Sequence, residues 1–210
     1  AGLFVGEQAL VVRRMLSLPG LTRSVLVEER QLPRVVDLAP ADVPVYVARA
    51  GVLNEVVGYD LHRGVVALGY RAPVDGRPWR DVVPERPGPV GVLVCEGITN
   101  IDNVGMLFRD AAAFAVDAVI LDPCCHDPLY RKSLRVGIGH ALAVPWARCA
   151  AWPDDLAAMA ADRALTVVGA APVPGAIGLD ALEPLVRWAR VGGSDGVALR
   201  VGVGGSGVRL

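Results

Sequence analysis

A chain of 210 residues with 53% hydrophobic side chains and a formal net charge of −1 has room for one large domain or two small ones and can bury a sizeable core. That near-neutral balance excludes a protein that holds nucleic acid through a global basic field, so any such contact has to be local. No apolar run reaches the ~18 residues of a membrane span, no basic region followed by an apolar core opens the chain, and four cysteines suit free thiols in a reducing compartment. The expectation is a cytoplasmic protein with no membrane partner.

In chain order, Val5, Ala9, Val12 and Leu16 follow helical spacing, and Pro19-Gly20 ends the predicted helix. Ser24 to Val27 and Val43 to Val47 read as strands, with a polar, proline-containing segment between them. Gly51 to Val57 reads as a short helix and Val65 to Leu68 as a closing strand. Residues 1–72 are therefore expected to form a small α/β unit. Residues 73–90 hold the prolines Pro73, Pro78, Pro84, Pro87 and Pro89 and read as a linker, with Trp79 packing on one domain.

Residues 91–210 read as a second, parallel-sheet domain. Val90 to Cys95 and Ala118 to Leu121 are short apolar runs suited to buried strands. Between them Asn100, Asp102 and Asn103 are residue types that cap a helix start, and Leu107, Ala111 and Phe114 draw one apolar stripe. The product is a β-α-β crossover. Its loop is unusually polar: two asparagines flank an aspartate, Gly105 allows a close backbone approach, and Arg109 lies one turn further on. Such groups point beyond the carboxyl end of a strand, where α/β proteins bind ligands.

Further on, Asp122 to Tyr130 reads as a loop. Arg131, Lys132 and Arg135 then form the densest basic patch, either a phosphate contact or a solvated helix face. Lys132 is the only lysine in the chain. Cys124-Cys125-His126 invites a metal, but no second Cys/His pair stands at ligand spacing, so no metal is expected. Pro153 to Ala164 reads as a helix, Leu165 to Ala170 as a buried strand, Gly178 to Arg190 as helical, and Val197 to Val201 as a last strand. A glycine-rich loop, Gly202-Val203-Gly204-Gly205-Ser206-Gly207, follows it.

The order Asn100-x-x-Asn103-x-Gly105-x-x-x-Arg109, followed by an alanine-rich turn and Val-Asp-Ala-Val-Ile, resembles the first motif of the SpoU/TrmH family of RNA ribose methyltransferases. Phe4-Val5-Gly6-Glu7 and the segment from His62 to Ala67 resemble the two ends of the small substrate domain carried by many members. His62 is either an RNA contact or a turn residue, and Arg63 departs from the usual glutamine. The resemblance implies a SPOUT-type α/β domain of the trefoil-knot class, preceded by a small α/β substrate-binding domain. It also implies S-adenosyl-L-methionine as cofactor, tRNA or rRNA as partner, and a homodimer.

By that resemblance Arg109 and Asn103 are the catalytic residues. Ala170, Ala171, Gly202, Gly205 and Gly207 line the cofactor pocket, and Asn100, Arg131, Lys132 and Arg135 face the RNA. Three further departures are visible. Gly137 stands where serine is common, Gly204 stands where the second motif has glutamate, and the sequence stops at Leu210 before the third motif, so an incomplete knot is expected. Against the methyltransferase stand a family member that binds RNA without catalysis and an unrelated nucleotide-binding α/β enzyme. The ordered asparagine-glycine-arginine motif disfavours the latter.

Overall fold

The computed structural model describes residues 2–58, 61, 64–170 and 196–202, and these divide into two compact units. The first gathers residues 1–75, 101–109 and 127–143, and the second residues 76–100, 110–126 and 144–210.

In the first unit, strand β1 (Leu3–Glu7) runs into helix α1 (Ala9–Leu16). Val5 lies in β1, so the periodicity from Val5 to Leu16 is not that of one helix. Gln8, at φ 82°, reverses the chain between the two elements, and α1 then buries Val11, Val12, Met15 and Leu16. Strand β2 (Thr22–Glu28) follows the Pro19-Gly20 turn, and two 3-10 turns, Glu29–Arg34 and Val36–Leu38, lead to β3 (Val45–Ala48). Helix α2 (Ala50–Val57) ends at Gly58, whose left-handed conformation (φ 76°) lets its N–H reach the Asn54 carbonyl.

Strand β4 (Val65–Tyr70) completes a sheet of order β1-β4-β2-β3. β4 is antiparallel to both neighbours, and β2 is parallel to β3. At the end of β4, Arg71 grips Asp127 with two 2.9 Å hydrogen bonds and also pairs with Asp75. The Asp127 bonds, followed by those to Asp75, hold the guanidinium above its ordinary pKa despite the opposing effect of burial.

The second unit opens with a short helix, α3 (Trp79–Val82), inside the proline-rich stretch. Trp79 is buried among Val92, Ile120 and Met159, and the Arg80 guanidinium lies 4.2 Å from its ring centroid. Strands β5 (Val90–Glu96), β6 (Ala118–Leu121), β7 (Trp146–Arg148), β8 (Leu165–Ala170) and β9 (Gly196–Gly202) form an all-parallel sheet of order β7-β6-β5-β9-β8. Near-continuous Val, Ile and Leu in β5 and β6 fit strands covered on both faces. Helix α6 (Asp154–Asp162) adds Leu156 and Met159 to the same core.

The last of these strands in sequence, β9, lies between β5 and β8 rather than outside β8. In a doubly wound dinucleotide-binding sheet the strands spread outward in chain order on each side of the first. The insertion therefore excludes that fold. The predicted helix from Gly178 to Arg190, His62, Arg63 and the segment after Gly202 that bears on the knot lie outside the described residues.

Helix α4 (Ile101–Ala113) contributes residues to both units. Its buried apolar side chains are those of Val104, Phe108 and Ala111, whereas Phe114, one residue beyond the helix, is 81% exposed. The apolar stripe is thus rotated from the expected Leu107-Ala111-Phe114 line. Helix α5 (Arg131–Val136) follows the Asp122 loop, and a 3-10 turn spans His140–Leu142.

Candidate active site

The loop that leaves β5 is held by a buried carboxylate. Asp122, 4% exposed at the end of β6, accepts N–H bonds from Gly97 at 2.9 Å, Cys124 at 3.0 Å and Cys125 at 2.7 Å. Gly97 takes φ 63°, a conformation that favours glycine. The Cys125 thiol accepts from the Ile98 N–H and donates to the Cys95 carbonyl. Arg148 donates to the carbonyls of Asp122, Cys125 and His126, which closes the second loop onto its strand. Asp122 and Arg148 were not singled out in the sequence. The bond from Gly97 to Asp122 and those from Arg148 span 22 to 26 residues, and no local spacing encodes such a pairing, whereas the Cys124 and Cys125 bonds to Asp122 close a local turn.

This clamp fixes the chain leading to Asn100, which is exposed just before α4. Asn103 and Arg109 are exposed on α4 itself. Gly105 is buried, as a close approach requires: a Cβ there would lie 2.6 Å from the Ser133 carbonyl oxygen. The facing Gly137 is as tight, since its Cβ would lie 2.8 Å from the Gly105 carbonyl oxygen. Ser133 Oγ bonds the Ile101 carbonyl at 3.1 Å and Lys132 pairs with Asp102 at 2.9 Å, so α5 is fastened to the first turn of α4.

The basic residues of α5 are matched by carboxylates. Arg131 reaches Glu7 at 2.5 Å and Arg135 lies 3.6 Å from it. Glu7 is 5% exposed. The patch predicted around Arg131, Lys132 and Arg135 therefore carries its own counter-charges. Arg109 differs, since among the described residues no carboxylate pairs with it. Arg14, from α1, also lacks such a partner and donates instead to Nδ1 of His140 at 2.7 Å. A guanidinium only donates, which leaves the His140 proton on Nε2. Burial, and then the charges of Arg14 and Arg109, hold the imidazole below its ordinary pKa.

At the carboxyl edge of the parallel sheet, Glu96 is in register with Gly202, and Val201 with Ala170. The ends of β5, β9 and β8 thus lie side by side there. Trp152 donates its indole N–H to Glu96 at 3.0 Å. Of the residues expected around a cofactor, Ala170 and Gly202 are at this edge, while Ala171, Gly205 and Gly207, with Gly204, lie outside the described residues. Among the described residues no group of three or more His, Cys, Asp or Glu is placed to hold a metal ion, and no helix is long and apolar enough to cross a membrane.

Comparison with known proteins gives a consistent picture. Residues 91–209 match the sequence profile of the SpoU rRNA Methylase family. Uncharacterized tRNA/rRNA methyltransferases of Mycobacterium tuberculosis (strain ATCC 25618 / H37Rv) and Mycobacterium bovis are each 41% identical over 155 residues, which is 73% of this chain and 52% of theirs. The chain thus spans about half the length of these curated relatives.

Among solved structures, an rRNA methyltransferase from Sinorhizobium meliloti superposes with a TM-score of 0.76 at 19% identity, over 99% of this chain and 74% of the other. The SpoU methyltransferase AviRb from Streptomyces viridochromogenes, solved in complex with AdoMet, superposes with a TM-score of 0.68 at 19% identity, over 100% and 84%. At these identities the likeness establishes the fold.

Proposed function

We propose, from the premise that the chain belongs to the SpoU rRNA methylase family, that it serves S-adenosylmethionine-dependent methylation of a ribose 2′-hydroxyl in tRNA or rRNA. The observation that carries the reading is Arg109: an exposed guanidinium with no carboxylate partner among the described residues, on the helix that follows β5. Arg109 does not serve as a base, because a guanidinium is a donor only and does not give up its proton in proteins. It instead anchors a phosphate and stabilises negative charge developing on the ribose oxygen. Asn103, exposed on the same helix, orients the ribose or Arg109. Asn100 contributes to the RNA side of the loop, and Arg131, Lys132 and Arg135 reach RNA when they exchange their carboxylate partners for phosphate.

The described part of the cofactor site fits S-adenosylmethionine. Ala170 and Gly202 end their strands with small residues at the carboxyl edge, where ligands of parallel sheets bind. Ala170, Ala171 and the backbone of Gly202, Gly205 and Gly207 would hold it, and when bound it supplies an activated methyl group. In this reading residues 1–72 are the substrate domain, residues 73–90 a connector and residues 91–210 the methyltransferase domain, which pairs as a homodimer.

A second reading, RNA binding without methyl transfer, is favoured by Gly137. Where the family commonly has serine, this chain has a glycine packed so closely on Gly105 that the backbone leaves no room for a side chain. Transfer of labelled methyl from S-adenosylmethionine to total tRNA and to rRNA, measured with the complete protein, separates the two. We expect incorporation that is abolished in Arg109→Ala with an unchanged circular dichroism spectrum. Unimpaired turnover in that variant overturns the role of Arg109. RNA binding without incorporation by the unaltered protein selects the second reading.

A further inference from the structure

The contact between α1 and the 3-10 turn at His140 is not used by any of the roles above. Gly139, at φ 71°, brings the chain against α1, where a Cβ would stand 3.4 Å from Arg14 Cδ and 3.5 Å from Val11 Cα. The next residue, His140, takes the Arg14 hydrogen bond on Nδ1 at 2.7 Å and keeps a proton on Nε2. Gly137, two residues before Gly139, is locked on the backbone of Gly105, and Arg109 stands one turn of α4 beyond Gly105. The close backbone approach at Gly137 and the van der Waals packing at Gly139 therefore draw α1, the turn and α4 together within one unit.

Arg14 and Arg109 share the lack of a carboxylate partner among the described residues. Their counterparts nearby are satisfied: Arg131 and Arg135 by Glu7, Lys132 by Asp102, Arg71 by Asp75 and Asp127. The Arg14 guanidinium bonded to a neutral imidazole that offers one N–H, with the Arg109 charge near enough to act on that imidazole, makes a positively charged donor set with no paired carboxylate among the described residues.

We propose that Arg14 and His140 extend the site of Arg109 into a seat for an RNA phosphodiester, distinct from the α5 basic residues that already carry counter-charges. A diester has one negative charge and two non-bridging oxygens. Arg14 and Arg109 each supply a fork of donors to those oxygens, and the Nε2–H of His140 supplies a further one. Arg14 comes from the N-terminal segment and Arg109 from the first motif, so one phosphate held by both ties the register of the RNA to the helix that carries Asn103. The proposal rests on the reading of RNA as substrate.

Fluorescence anisotropy of labelled bulk tRNA, titrated with the full chain over a series of NaCl concentrations, tests it. Arg14→Gln is expected to weaken binding several-fold and to lower the slope of log K against log salt by about one. Arg14→Lys keeps most of the slope, and Arg86→Gln, whose arginine pairs with Asp117 on the surface, keeps all of it. His140→Asp leaves Arg14 in place but gives it an internal counter-ion, and it is expected to reproduce the loss even where Arg14→Gln does not fold. Wild-type slopes in both His140→Asp and any folded Arg14→Gln overturn the site while leaving RNA binding intact. Failure of the unaltered chain to bind tRNA at any salt concentration overturns the RNA reading and the site with it.

Discussion

Gly105 and Gly137 meet backbone to backbone, and neither has room for a side chain. A Cβ on Gly105 would lie 2.6 Å from the Ser133 carbonyl oxygen, and one on Gly137 would lie 2.8 Å from the Gly105 carbonyl oxygen. Neither obstacle is the end of a flexible side chain, so α4 and α5 must separate to admit even a methyl group. Gly105→Ala and Gly137→Ala are each expected to destabilise the fold by about 1–3 kcal/mol, the usual cost of overpacking, read as a shift in the urea midpoint. Gly137→Ser should cost at least as much. A neutral Gly137→Ser would show that the family's common residue fits here after all.

Asp122 accepts three backbone N–H bonds from two different loops. Asp122→Asn replaces a charged acceptor with a neutral group that turns an NH2 toward one of those donors, and a loss of about 2–4 kcal/mol is expected from hydrogen bonds to a charge. Hydrogen exchange at Gly97 and Cys125 should rise together in this variant. Unchanged protection at Gly97 would show that the first-motif loop holds its shape without the carboxylate.

Glu7 neutralises two arginines of α5 from a buried position. Glu7→Gln should lower stability by about 1–2 kcal/mol, because both guanidinium groups are about a third exposed and water screens the pair. The same change frees positive charge, so the salt slope of tRNA binding should steepen. A flatter slope would show that Arg131 and Arg135 point away from the bound RNA.

His140 is held below its ordinary pKa of 6.5 first by burial and then by Arg14 and Arg109. The unfolded chain therefore binds more protons than the folded one as pH falls from 6.5 through the lowered value, so stability drops over that interval and is constant above it. The melting temperature of the wild type should fall further between pH 7 and pH 5 than that of His140→Gln. Parallel curves would show that the histidine titrates alike in both states.

Three thiols are shielded and one is not. Burial raises Cys149 to about 11 and Cys125 to about 12, and pushes Cys95 further still, while Cys124 is exposed. Thiolate is the reactive form, so a disulfide reagent at pH 8 should modify a single thiol per native chain, at Cys124. Fast modification of Cys125 would mean that the Asp122 loop opens readily.

The motif on α4 was legible because each residue type in it answers a local need: glycine where backbones meet, polar residues at an exposed helix start. Four strands of the parallel sheet, β5, β6, β8 and β9, were legible from apolar runs. β1 was not, because Val5 falls by chance on the periodicity of α1 and the reversal between them is made by Gln8 rather than by a glycine or proline. β7 escaped notice because three residues after Pro145 are too few to show a period. The line of Leu107, Ala111 and Phe114 missed the buried face because alanines flank it on both sides, and burial rather than composition chose Val104 and Phe108. Pairings such as Arg14 with His140 span 126 residues, a separation at which sequence spacing carries no information.

The position of β9 has a consequence for how the protein is made. β5 and β8 leave the ribosome before the strand that separates them, and until β9 arrives each presents a row of unpaired N–H and carbonyl groups. The parallel sheet cannot close during synthesis of the segments that precede β9. Its assembly waits on contacts between Val90 and Gly196 and onward along the register, pairings of high sequence separation that form slowly. Nascent chains should therefore engage chaperones late, and proteolysis of stalled chains ending before residue 196 should find the second unit still open while α1 and its sheet already resist cleavage.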